Sequence, residues 1–232
     1  MRSEQVVGAT AFALAASLLT QNAVLIWAGA PGFGDPIEDV LAFHAENRVA
    51  VAVAVGSEAL NVPLLLGFVT GLHGLLGRRG GDGADWSRLA VAAGAALSAV
   101  FALYSVLWVG VVLSAGDLAE PSPVFELVWQ LHAAAFALAL PALGTTFVGA
   151  ALAAHASGLT PAWQRVLGLA GGGLLLAAGV ASLAIADGSA LLFVGMPGYA
   201  AWVVWLLVTG VRLLRARPAR AVTRRQVATT AA

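Results

Sequence analysis

The chain has 232 residues, of which 60% are hydrophobic and only 10% charged, with a formal net charge of zero. Apolar runs this long and this numerous exclude a soluble globular domain, and the balanced charge offers no broad basic field to nucleic acid. The absence of cysteine excludes disulfides and thiolate chemistry, and the absence of lysine excludes Schiff-base chemistry, a retinal-binding opsin included.

The first apolar run, Val6 to Trp27, covers 22 residues. That is long for the core of a secretory signal, and Pro31 directly follows the small-residue triplet Ala28-Gly29-Ala30, which disfavours cleavage. A retained first span is expected, with Gln21 and Asn22 making ordinary interhelical hydrogen bonds. A loop rich in Gly, Pro and acid follows, carrying Asp35, Glu38, Asp39 and Glu46. Asp35-Pro36 can open a short amphipathic helix over 37–47.

The second run is the most informative stretch. It is apolar from Val49 to Leu76 yet contains Glu58 and Asn61. Glu58 lies ten residues beyond Arg48, so it sits roughly 15 Å deep, near the middle of a bilayer core. A carboxylate there costs about 2.5–3.5 kcal/mol. It must face protein or trapped water, and the neutral acid is the form expected. At 100° per residue Asn47, Val51, Ala54, Glu58, Asn61, Leu65 and Val69 share one face. Gly56, Pro63, Gly67, Gly71 and Gly74 fall on the other, where small residues permit close helix approach. If both faces are covered, this helix lies inside a bundle.

Beyond the basic loop containing Arg78, Arg79 and Arg88, a third span with Tyr104 and Ser105 is expected. The acidic loop of Asp117 and Glu120 leads to a fourth, interrupted by Pro141 and carrying Thr145 and Thr146. A glycine-crowded fifth span precedes the turn Asp187-Gly188-Ser189, and a sixth carries Trp202 and Trp205. The predicted architecture is an all-α bundle of six transmembrane helices, at about 6–28, 49–76, 89–114, 124–154, 166–186 and 190–214. Residues 1–214 then form one membrane domain, and 215–232 a basic, disordered cytoplasmic tail. Eleven of the twelve arginines fall on the side of the termini and only Arg48 on the other, which predicts cytoplasmic N- and C-termini.

Glu58 with Asn61 is the candidate catalytic or binding pair, because buried ionisable groups mark transport paths and catalytic acids. Tyr104, Ser105, Thr145, Thr146 and Asn22 are its candidate partners, the first four as cavity lining; the competing role is a structural pin between spans. The histidines are weak heme candidates: His44 and His132 near the outer ends of the second and fourth spans, His73 and His155 near the inner ends. Their separations of 29 and 23 residues, about 43 and 34 Å of helix, are too long for hemes stacked in one bilayer. Histidines at helix ends, with their tips in the interface, are expected instead, with no metal and no cofactor. Pro63 and Pro141 kink their spans. The Gly67/Gly71 and Gly168/Gly172 pairs fit packing within the monomer better than dimerisation. No HExxH zinc motif, nucleophile elbow or intramembrane aspartyl pair occurs.

The order of features resembles an uncharacterised bacterial six-span membrane-protein family. The resemblance rests on the short N-terminus, the acidic Gly/Pro loop, the basic inner loop and the run FVGAALAAHASGLTPAWQRVLGLAGGG from Phe147 to Gly173 with its Pro161-x-Trp163. It implies a multi-pass protein of the bacterial plasma membrane and supplies no catalytic residues. Together these readings lean toward a non-enzymatic membrane protein with a structural, accessory or small-transporter role. The alternative is a membrane-embedded enzyme acting on a lipid or isoprenoid, with Glu58 as general acid; a heme-binding protein is a minor one. Membrane lipids are the expected partners and nucleic acid is not, with homo-oligomerisation and a small apolar ligand left open.

Overall fold

The computed structural model describes residues 3–78 and 81–215, which fold into helices without a strand among them. In chain order these are α1 (Ser3–Ala28), α2 (Ile37–Glu46), α3 (Arg48–Gly77), α4 (Gly83–Ala115), α5 (Pro123–Ala156), α6 (Ala162–Val180), α7 (Ser182–Ala186) and α8 (Leu192–Arg215). All but α2 and α7 are long and apolar enough to cross a membrane. At 1.5 Å per residue, the 19 residues of α6 reach roughly 28 Å. The stretch read as one fifth span is divided: the helix breaks at Ala181, and α7 continues the crossing against α5.

The six long helices form a closed ring in the order α1, α3, α4, α5, α6, α8. Small residues close its seams. A Cβ on Gly8 of α1 would stand 2.9 Å from the Gly210 carbonyl oxygen of α8. Between α5 and α6, a Cβ on Gly144 would stand 2.8 Å from the Gly172 oxygen. Real side chains do not fit there, so glycine sets the interhelical distance. The contact of Gly8 with Gly210 also places the start of α1 beside the end of α8. Of the described arginines, Arg78, Arg88, Arg165, Arg212 and Arg215 belong to that basic end, and Arg48 to the opposite, acidic end. Arg2, Arg79, Arg217, Arg220, Arg224, Arg225 and the expected tail lie outside the described residues.

The most enclosed helix is α5, not the second span expected at the centre. The face of α3 bearing Val51, Ala54, Glu58, Asn61, Leu65 and Val69 is buried. Its glycine face is not, because Gly56, Pro63, Gly67 and Gly74 are exposed. α3 sits in the ring wall with α1 and α4 as neighbours, so most of its small-residue face looks outward; Gly71, where an added Cβ would stand 2.7 Å from Val7, still packs on α1.

α5 begins with Ser122 accepting a hydrogen bond from the Phe125 amide at 3.2 Å and with Pro123 in the first turn. At the basic half the ring is filled by Phe68, Phe147, Trp202 and Trp205; the two indoles are nearly parallel at 5.9 Å. At the acidic end α2 folds back over α4 and α5, burying Val40 and Leu41 against Val111, Phe125 and Trp129.

Candidate functional site

Glu58 is 3% exposed. The Gln21 amide Nε2 of α1 donates to its Oε2 at 2.6 Å. Asn61, one turn further along α3, donates through Nδ2 to Gln21 Oε1 at 2.9 Å. Gln21 is therefore the middle of a three-member chain, held between the two polar residues of α3. The described arginines are all exposed, so amides and not a cation support the carboxyl. Glu58 Oε1 and Asn61 Oδ1 are buried with no hydrogen-bond partner. Such orphaned acceptors are rare in folded proteins and call for a specific reason.

That reason lies next to them. Glu58 lines a cavity of about 190 Å³ inside the acidic half of the ring, walled by α1, α3, α4, α5 and α8. Its polar lining is Gln21, Asn22, Glu58, Tyr104 and Tyr199; Leu18, Leu25, Phe101, Phe136, Leu140, Leu143 and Met196 make most of the rest. The chain has two tyrosines, and both line this space. Asn22 donates to the Tyr199 hydroxyl at 2.9 Å, tying α1 to α8 beside the cavity. The Tyr104 hydroxyl has no hydrogen-bond partner among the described residues.

Asn61 faces a smaller space of about 20 Å³, which shares Leu18, Phe101, Leu143 and Tyr199 with the main cavity and ends on Trp202. It is the size of a single water. Below it the aromatic floor of Phe68, Phe147, Trp202 and Trp205 closes the ring. The cavity is blind toward the basic end. Pro141, between the wall residues Leu140 and Leu143, and Pro197, between Met196 and Tyr199, lie inside their helices. Each removes a helical hydrogen bond next to the cavity and lets the wall bend.

The other expected partners stand elsewhere. Ser105, Thr145 and Thr146 bond back to the carbonyls of Phe101, Pro141 and Ala142 on their own helices, at 2.8, 2.9 and 2.8 Å. They do not line the cavity. Gln21, passed over in favour of Asn22, is the residue that meets Glu58. The signal for it was present: Gln21 continues the buried face Val7, Ala11, Leu14, Leu18, whereas Asn22 is rotated by 100°. Tyr199 carried no such signal.

His44 and His132 depart from the expectation of interfacial tips, whereas His73 and His155 are half-buried near the ends of their helices. His44 and His132 are each 2% exposed and share an aromatic nest at the acidic end. His132 stacks on Trp129 at 5.2 Å, and His44 meets the same indole edge-on at 5.7 Å. The nest is sealed because α2 and the preceding loop fold back, with Phe33 packing on Trp129 at 5.5 Å. His44 Nδ1 donates to the Val40 carbonyl at 2.8 Å and Nε2 accepts from Trp108 Nε1 at 3.1 Å. That pattern fixes a neutral tautomer and leaves no lone pair for iron, so His44 does not fit a heme ligand. Desolvation holds the His44 pKa below its ordinary 6.5, with the Val40 hydrogen bond opposing. At the basic end His73 Nδ1 pairs with Ser87 Oγ at 2.7 Å, and His155 Nδ1 with the Thr160 carbonyl at 3.2 Å. Among the described residues no group of three or more His, Asp or Glu is placed to hold a metal ion.

No curated protein and no solved structure matches the chain. One family model does, over residues 6–210, and so spans all six long helices and every residue of the cavity. This integral membrane protein therefore belongs to the family described as Domain of unknown function (DUF4386).

Proposed function

We propose that this is a non-enzymatic, ligand-binding membrane protein that holds a small, mainly apolar molecule in its ring, with the Glu58 carboxyl as polar anchor. The observation that carries this reading is the unpartnered Glu58 Oε1 beside a cavity of about 190 Å³. A purely structural pin would have its carboxyl satisfied and no space beside it. A transport path would continue through the other half, which the aromatic floor occupies. Acid catalysis on a lipid or isoprenoid would use the same convergence of Glu58, Tyr104 and Tyr199. Yet the lining offers one carboxyl and no histidine to act as its partner base, so binding is the reading preferred.

Met196 lines the cavity and is also 43% exposed. The wall is one side chain thick there, so the ligand enters from the membrane at the α1–α8 seam. The arginine distribution supports an orientation with the basic end, and both termini, in the cytoplasm, and the resemblance in layout to a bacterial six-span family supports a bacterial plasma membrane. The test is thermal unfolding in nanodiscs with p-xylene, on wild type and on Ala139→Phe and Leu143→Phe, which fill the cavity. Wild type should be stabilised saturably and the filled variants should not. Equal responses, or no response from wild type, would contradict the proposal.

A further inference from the structure

We infer that the ligand of this cavity is a ring bearing a hydroxyl group, a phenol in its simplest form; the inference rests on the binding role proposed above. The space comes first. A protein cavity of about 150 Å³ accommodates benzene, so about 190 Å³ takes a six-membered ring with one or two small substituents. A long-chain lipid does not fit whole.

The walls come second. Phe101, Phe136, Tyr104 and Tyr199 surround the space with ring faces and edges, and aromatic guests gain from offset and edge-on contacts with such walls beyond simple area. Phe136 is itself held from the acidic end by Phe33, with ring centroids 5.3 Å apart. The aromatic wall is therefore backed by a second layer and is already formed before a ligand arrives.

The polar groups come third. With Oε2 occupied by Gln21, Glu58 has Oε1 left, and Tyr104 has its hydroxyl left. An ionised carboxylate only accepts hydrogen bonds, whereas a neutral acid also donates one. A hydroxyl is a small neutral group that answers both states, because it donates and accepts. A carbonyl or ether oxygen answers only the neutral acid. An organic cation would answer only the carboxylate, and it would be desolvated against a counter-charge already shared with an amide. A phenolic hydroxyl also leaves an acceptor lone pair for the Tyr104 O–H.

The experiment uses the full chain in nanodiscs, with empty nanodiscs subtracted, and titrates p-cresol, its methyl ether, toluene and benzyltrimethylammonium by calorimetry. The expected result is saturable binding of p-cresol about tenfold tighter than of toluene or the ether. That preference should fall in Glu58→Leu, which offers the hydroxyl no polar atom, and shrink to near unity when Tyr104→Phe is added. Tyr104→Phe alone, which keeps the ring and every packing contact, should remove part of it and serves where Glu58→Leu fails to fold. Equal affinity for p-cresol, ether and toluene would overturn the hydroxyl assignment while leaving an apolar binding cavity. Tighter binding of benzyltrimethylammonium would overturn it in favour of a cation site. Failure of all four to bind would remove the binding role itself.

Discussion

The imidazole of His132 lies flat on the ring of Tyr104, with centroids 4.0 Å apart and planes inclined by 21°. Tyr104 thus has one face in the histidine nest and also lines the cavity, which joins the two buried polar regions of the acidic half. His132 Nδ1 donates to the Tyr104 carbonyl at 3.1 Å, reinforcing the link.

The nest predicts a pH dependence of stability through His44. Burial lowers its pKa in the folded protein from 6.5. As pH falls, the unfolded chain therefore takes up the proton first. Stability is complete above about 6.5, declines as pH drops from there to the lower folded value, and is level below it. Melting temperature measured against pH should show this slope in wild type. His44→Phe should make it shallower, with His132 still in the nest, while losing about 1–3 kcal/mol, because Trp108 Nε1 is left without its acceptor.

Glycine positions separate into two classes. Gly144→Leu and Gly210→Leu put side chains into backbone contacts and should destabilise by about 1–3 kcal/mol or more, lowering the yield of folded protein on size exclusion. On Gly56 an added Cβ meets nothing within 4 Å. Gly56→Ala should be neutral or stabilise by up to about 1 kcal/mol in thermal unfolding.

Much of this was legible in the sequence, and the rest has identifiable reasons. Six long apolar runs are a length argument, and length survives folding. The face of α3 that carries Glu58 followed from helical period alone. What period cannot supply is the identity of the neighbour. The small-residue face of α3 suited close approach of a helix, and the ring order left most of it outside, with Gly71 packed on Val7 of α1. Gln21 and Asn22 are adjacent on a helix that is apolar almost all round, where little but the run Val7, Ala11, Leu14, Leu18 marks the inner side. The histidine nest was hidden because it depends on α2 folding back, a tertiary event between residues distant in sequence. The cavity itself has no sequence signature, being space left by side chains of five helices.

The seam between α1 and α8 gives a kinetic prediction. Tyr199→Phe removes the acceptor for Asn22 and leaves the cavity shape intact. Exchange of a fluorinated toluene, followed by fluorine NMR line shape, should quicken by up to about tenfold, the worth of one hydrogen bond. Affinity should change less than the rate.

Orientation is open to direct test because the chain has no cysteine. Single cysteines replacing Asp117 or Asp187 at the acidic end should react with an impermeant maleimide added to intact bacterial cells. A cysteine replacing Asp82 at the basic end should react only after the cells are opened.

The account depends most on Glu58 facing α1 through Gln21. A double-mutant cycle with Gln21→Leu, Glu58→Leu and the double variant, read by unfolding free energy in detergent, measures that link alone. Gln21→Leu strands both Glu58 and Asn61, Glu58→Leu strands the Gln21 amide, and the double variant strands Asn61 alone, so the cost of Asn61 cancels in the cycle. Coupling of about 1 kcal/mol or more is predicted, above the roughly 0.6 kcal/mol average between membrane helices. Costs that simply add, to within about 0.3–0.5 kcal/mol, would mean that the carboxyl does not meet Gln21, and the site described here would not exist.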